Sequence, residues 1–124
     1  MLHHNIKISH KNILNYSPTY IIAEAGVNHN GSEKLSLEMV SLASKAGADA
    51  IKFQTFDTNK LVSKDAKSAT YQLKSSNEPN QFSMLKKLEL PRESLLKIFE
   101  KCQDLNIEFL STPFDIDLAH FLVE

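Results

Sequence analysis

Three times along the chain, a short run of apolar residues ends in polar ones and gives way to a stretch with helical spacing. The runs are Tyr20–Ala25, Asp49–Phe56 and Ile107–Thr112. Each has the length of a strand, and alternation along a strand sorts its side chains onto two faces. In the first run Tyr20, Ile22 and Glu24 share one face and Ile21, Ala23 and Ala25 the other. Its neighbours are apolar on both faces, as in a parallel strand covered on both sides. In the second, Ile51 and Phe53 oppose Ala50, Lys52 and Gln54. In the third, Ile107 and Phe109 face the helices, and Glu108, Leu110 and Thr112 face away.

The stretches between read as helices. Residues 32–46 carry Leu35, Met39, Leu42, Ala43 and Ala46 at spacings of three and four. Ser32 or Asn30 can cap this helix, Glu33 suits the positive end of its dipole, and Gly47 closes it. Pro91 falls at the first position of a second helix, with Leu95, Ile98, Phe99, Cys102 and Leu105 as its stripe, ending near Asn106. Asp115 caps a third, of which Leu118, Phe121 and Leu122 are the apolar positions. Residues 57–90 form a long connection with one short helix at Gln81–Leu88, its apolar positions being Phe82, Leu85 and Leu88. Connections of that length commonly carry function, and its place after the Lys52/Gln54 strand predicts a segment that covers a site. Ahead of these units, Ile6, Ile8, Ile13 and Tyr16 flank Ser9–Asn12 and predict a hairpin, with Ser17-Pro18 as a break.

Strand and helix alternating three times make βαβ units, hence a parallel sheet with right-handed crossovers. An open doubly wound sheet and a (β/α)8 TIM barrel both fit. Neither a GxGxxG nor a GxxxxGK[ST] loop is present. Polar residues on the inward parity at the strand ends favour the barrel, where such ends converge on one mouth. A barrel needs about 250 residues, so 124 residues hold about three of its β/α units. The expectation is a fragment: a hairpin over residues 1–18 and a partial barrel over 19–124, truncated before the remaining strands, with an open edge strand and an uncovered inner face.

Composition changes this picture little. The chain is 42% hydrophobic and 23% charged with a net charge of −1, enough apolar material for a core and no basic excess for nucleic acid or an anionic membrane. Its N-terminus lacks the apolar region of a signal peptide, no segment has the length of a membrane span, and the single cysteine forbids an intrachain disulfide. A cytoplasmic protein is expected. Cys102 lies on a helical stripe and reads as core. His3, His4 and His10 read as exposed polar residues or a tag remnant.

The candidate chemistry sits at the strand ends. Glu24 ends the first run and the polar loop 27–32 follows it. Lys52 points into the space opposite the helices, where a lysine is costly unless paired or bound to an anion. A structural carboxylate partner and an anion site fit equally.

The words IAEAGVNHNGS, AGADAIKFQTF, MLKKLELP and IEFLSTPFD, in that order, resemble the sialic acid synthase family, the N-acetylneuraminate synthases, from about Tyr20 to Glu124. The resemblance implies a (β/α)8 barrel followed by an antifreeze-like domain, with the hairpin plugging the barrel bottom, in a homodimer. It implies condensation of phosphoenolpyruvate with N-acetylmannosamine, giving the nine-carbon acid and phosphate. By position, Glu24 resembles the active-site acid, Lys52 the phosphoenolpyruvate-binding lysine, Gln54 and Asn77 sugar-binding residues, and Thr112 a threonine hydrogen-bonded to phosphoenolpyruvate. Asn28 and His29 take a loop-shaping role. A divalent metal, manganese or magnesium, is implied with its ligands on later strands, so no metal ligand is expected in this chain, and the fragment alone is expected to be inactive. Legionaminate or pseudaminate synthesis within the same family, and a non-catalytic remnant, are the alternatives.

Overall fold

A computed structural model describes residues 6–8, 11–14, 16–63 and 80–124. Strands β1 (Ile6–Ile8) and β2 (Lys11–Ile13) form the N-terminal hairpin, antiparallel with Ile6 opposite Ile13. The second strand begins at Lys11, inside the stretch that the pattern assigns to the turn, and Tyr16 lies beyond it, fully exposed.

The main sheet has three parallel strands in the order β3 (Ile22–Gly26), β4 (Ala50–Thr55) and β5 (Glu108–Pro113). Helix α1 (Glu33–Lys45) makes the first crossover. The second runs through α2 (Thr58–Leu61), α3 (Gln81–Leu88) and α4 (Arg92–Asp104), and α5 (Ile116–Val123) follows β5. Ser32 caps α1 by accepting the Leu35 amide at 3.2 Å, and Asp115 caps α5 from the Leu118 amide at 3.0 Å. Gly47, at φ +79°, follows α1 as the residue that reverses the chain. Pro91 is the N-cap of α4, one position earlier than expected, with extended ψ.

One face of the sheet carries the core. Ala25, Ile51 and Phe53 from the strands, with Ile107 just ahead of β5, meet Val40 and Ala43 of α1 and Leu95, Ile98 and Cys102 of α4. Phe53 and Phe109 stack with centroids 6.0 Å apart, and Phe99 meets Phe109 edge-on. The buried face of α1 is turned from the expected stripe. Ser36, Val40 and Ala43 face inward, whereas Leu42 is exposed. The Ser36 hydroxyl fits inside because it donates to the Ser32 carbonyl at 2.9 Å. Helices α1 and α4 are also joined by polar contacts: Glu33 accepts from the Ser94 hydroxyl at 2.7 Å and from Lys97 at 3.0 Å.

Among the described residues nothing covers the other face of the sheet, on which Ile22, Glu24, Lys52 and Gln54 lie exposed or half-exposed. The hairpin is tied to the N-terminal end of the strands by Asp49, whose carboxylate pairs with Lys11 and accepts the Ile21 amide at 2.7 Å. The strand ends that carry the candidate chemistry lie at the opposite end.

Candidate functional site

Parallel register brings the candidate residues together. Glu24 stands opposite Lys52, and Gln54 opposite Thr112. All four occupy the open face at the C-terminal end of the sheet, as strand parity predicts.

Strand β3 bulges between Glu24 and Gly26, so that Gly26 pairs with Phe53. A bulge re-aims the side chain beside it. Here Gly26 adopts φ +53°, a conformation that favours glycine, and its amide turns back to donate to Glu24 Oε1 at 3.0 Å. The other carboxylate oxygen, Oε2, pairs with Lys52 Nζ at 2.8 Å. The Lys52 and Glu24 side chains are 38% and 52% exposed. Lys52 is therefore a paired, part-exposed lysine and not the buried one that the alternation implies, because nothing covers this face among the described residues. A Cβ on Gly26 would lie 3.6 Å from Glu24 Oε1 and 3.9 Å from Gln54 Nε2, so these two side chains flank the glycine. Thr112 is exposed at the adjoining strand end. Asn77, with His3, His4 and His10, lies outside the described residues.

The loop after β3 is a run of turns. Asn28 donates its amide to Ala25, Asn30 to Val27 and Ser32 to His29, at 2.9–3.0 Å. His29 is fully buried, its ring centroid 6.0 Å from that of Phe53, and its Nδ1 accepts the Gly31 amide at 3.0 Å. Burial holds its pKa below the ordinary histidine value, with the Gly26 backbone opposing the shift. This is the loop-shaping role expected of it.

Two arrangements escaped the sequence reading. Glu89 reaches back to the start of the long connection: its Oε2 accepts the Thr58 amide at 3.0 Å and the Thr58 hydroxyl at 2.7 Å, while Oε1 meets Lys86 at 2.8 Å. Burial opposes the Glu89 charge, yet Lys86 and Thr58 outweigh it and hold the carboxyl below its usual value. The segment after β4 is thus pinned at both ends. Lys60 of α2 pairs with Asp117 and lies 3.5 Å from Asp115, joining the first turn of that segment to α5. The partial signal was Asp57, which caps α2 by accepting the Asn59 amide at 2.9 Å. Among the described residues no three His, Cys, Asp or Glu side chains gather to hold a metal ion, and no helix is long and apolar enough to cross a membrane.

The model of the NeuB family matches residues 39–124. The chain belongs to that family. Among its relatives is the N,N'-diacetyllegionaminic acid synthase of Legionella pneumophila, 48% identical over 84% of this chain and 30% of that protein. A synthase of the same name from Campylobacter jejuni is 44% identical over 86% of this chain and 32% of that protein. Among solved structures, the N-acetylneuraminic acid synthetase of Leptospira borgpetersenii superposes with a TM-score of 0.79 at 30% identity, covering 98% of this chain and 38% of that one. The chain therefore spans about a third of the length of these NeuB relatives. Its three parallel strands and their helices correspond to the N-terminal part of the sialic acid synthase TIM barrel.

Proposed function

We propose that this chain supplies the first wall of the active site of a sugar-acid synthase that condenses phosphoenolpyruvate with an acylamino sugar. The observation that carries this reading is the Glu24–Lys52 pair, 2.8 Å apart on the open face at the strand ends. An ammonium has three donors. With one directed to Glu24, Lys52 keeps capacity for the carboxylate or phosphate of phosphoenolpyruvate. Thr112 adds a hydroxyl to the same anion, and Gln54 and Asn77 serve the sugar.

In the proposed reaction the alkene carbon of phosphoenolpyruvate attacks the sugar aldehyde. Positive character develops at the enol-ether carbon, water adds there, and phosphate leaves. Lys52 and Thr112 orient the anion through the reaction, and Glu24 holds or moves a proton beside it. The residues described do not form a metal site. A divalent metal polarising the aldehyde would take its ligands from other strands, and no step assigned to this chain passes through it. The full-length synthase is proposed to be a cytoplasmic homodimer.

The sugar is the finer question. N-acetylmannosamine, giving N-acetylneuraminate, is one reading. A diacetamido sugar, giving a legionaminic acid, is favoured by the 48% and 44% identities to legionaminic acid synthases, against 29% to the N-acetylneuraminate-9-phosphate synthase of Drosophila melanogaster.

Titration of the chain with phosphoenolpyruvate, followed by the Lys52 and Thr112 signals in NMR, tests the reading. Perturbation confined to these strand ends is expected, with no phosphate released by the chain alone. Absence of binding would instead favour a non-catalytic remnant. Phosphate release that depends on sugar and on Glu24 would overturn the expectation of inactivity.

A further inference from the structure

Among the described residues His29 is the largest fully buried polar side chain, and the chemistry assigned above does not use it. Its surroundings connect it to Glu24. The Gly31 amide donates to Nδ1 at 3.0 Å, so Nδ1 offers its lone pair, and the neutral ring carries its proton on Nε2. The ring packs beside Phe53, and the backbone of Phe53 is the register partner of Gly26 across the bulge. The Asn28 amide on the Ala25 carbonyl at 3.0 Å closes the turn that carries Gly26, and His29 follows in the next turn, closed by the Asn30 amide on the Val27 carbonyl at 3.0 Å. The Gly26 amide, in turn, holds Glu24 Oε1.

The turn is also confined from outside. Gly31, at φ +73°, lies so close to the end of α3 that a Cβ there would be 2.1 Å from the Lys87 carbonyl oxygen. The Lys87 backbone thus closes off one side of Gly31 and limits how far the turn can shift there. An apolar ring in place of His29 would fill the space but leave a donor unmatched where the loop has no room to adjust.

We propose that His29 is a positioning residue for Glu24, its buried imidazole locking the 26–31 turn so that the Gly26 amide aims the carboxylate at the open face. The role rests on Glu24 being the active-site acid. It differs from general loop-shaping in requiring an acceptor at Nδ1, and bulk alone does not satisfy it.

The test is NMR on the whole chain, comparing wild type with His29→Phe, which keeps the bulk, and His29→Asn, which keeps an acceptor near Nδ1. The readouts are the correlation across the Gly26 amide–Glu24 carboxylate hydrogen bond and the exchange rate of the Gly26 amide relative to that of Ile51. A loss of general stability accelerates both amides together. The proposal expects His29→Phe to lose the correlation and to speed Gly26 relative to Ile51 by about fivefold, the scale of one hydrogen bond, with His29→Asn restoring most of both. Equal acceleration of the two amides, or an unchanged Gly26, overturns it. Should His29→Phe fail to fold, the wild-type chain decides. A bare Nδ1 in long-range nitrogen–proton spectra together with the Gly26–Glu24 correlation supports the proposal, and a protonated Nδ1 or a missing correlation sinks it. A Glu24 held in this way that plays no part in phosphoenolpyruvate binding would defeat the functional reading and leave the positioning intact.

Discussion

Glu24 and Lys52 face each other in register on neighbouring parallel strands, and their side chains close to 2.8 Å. The same carboxylate takes the Gly26 amide on its other oxygen. A lysine and a glutamate brought together in this way can be a structural pair or the two halves of an anion-handling site. The consequences for stability and for binding separate the two.

Lys52→Met is expected to change stability by less than ~1 kcal/mol, because part-exposed ion pairs contribute little. It should weaken phosphoenolpyruvate binding at least about tenfold through loss of a charge-assisted contact. Urea unfolding and ligand titration of the same variant measure both. A large loss of stability with binding intact would make the pair structural.

Gly31→Ala and Gly47→Ala form a controlled comparison. Both glycines have positive φ, but a Cβ at Gly31 meets the Lys87 carbonyl oxygen at 2.1 Å and one at Gly47 meets nothing within 4 Å. Gly47→Ala should cost about 1–2 kcal/mol, the left-handed penalty alone. Gly31→Ala should cost clearly more, since backbone must also move. Shifts in the urea midpoint give the order, and equal losses would refute the contact with α3.

Acid should loosen the ties between elements. The carboxyls of Glu33 and Glu89 are both held below the ordinary value of 4.5. For Glu33 the Ser94 hydroxyl and Lys97 lower it. For Glu89, burial opposes the shift but Lys86 and Thr58 prevail. A depressed folded pKa contributes stability that is present above the unfolded value and is lost as pH falls through the folded one. Stability should therefore decline as pH drops below about 4.5, and Glu89→Gln should flatten that decline. Urea midpoints across that range provide the check, and an unchanged slope would remove Glu89 from the account.

Cys102 is buried in α4, and burial, with Glu108 nearby, pushes its thiol up to about 12. The nucleophilic thiolate is thus suppressed as well as covered. A thiol reagent near neutral pH should label the chain only as fast as it opens, with urea accelerating the reaction. Rapid labelling of the folded chain would place Cys102 at the surface.

Much of the architecture was legible in the chain. Gln81–Leu88 is a helix over the span its pattern marks, the Asp115 and Ser32 caps form, and Gly47 ends its helix. These features depend on neighbours within a turn or two. The barrel-like placement of Glu24, Lys52, Gln54 and Thr112 was also legible, because strand parity sends alternate residues to one face whatever the partner strand. The rotation of α1 was less so. Leu42 looks like core, but Ser36 takes an inward position by bonding to its own helix, and a hydropathy pattern does not record that bond.

The sequence by itself determined the order of the strands and longer helices, the parallel sheet and the side of it on which the candidate residues stand, since local periodicity and capping suffice for those; the one-turn helix α2 was not among them. Tertiary structure alone decided which distant groups meet: Asp49 with Lys11, Glu89 with Thr58, Glu33 with Ser94, and the two oxygens of Glu24 with Gly26 and Lys52. Such contacts depend on register, on one bulge and on side-chain reach across strands and helices. Spacing along the chain does not encode those distances; they exist once the layers have packed.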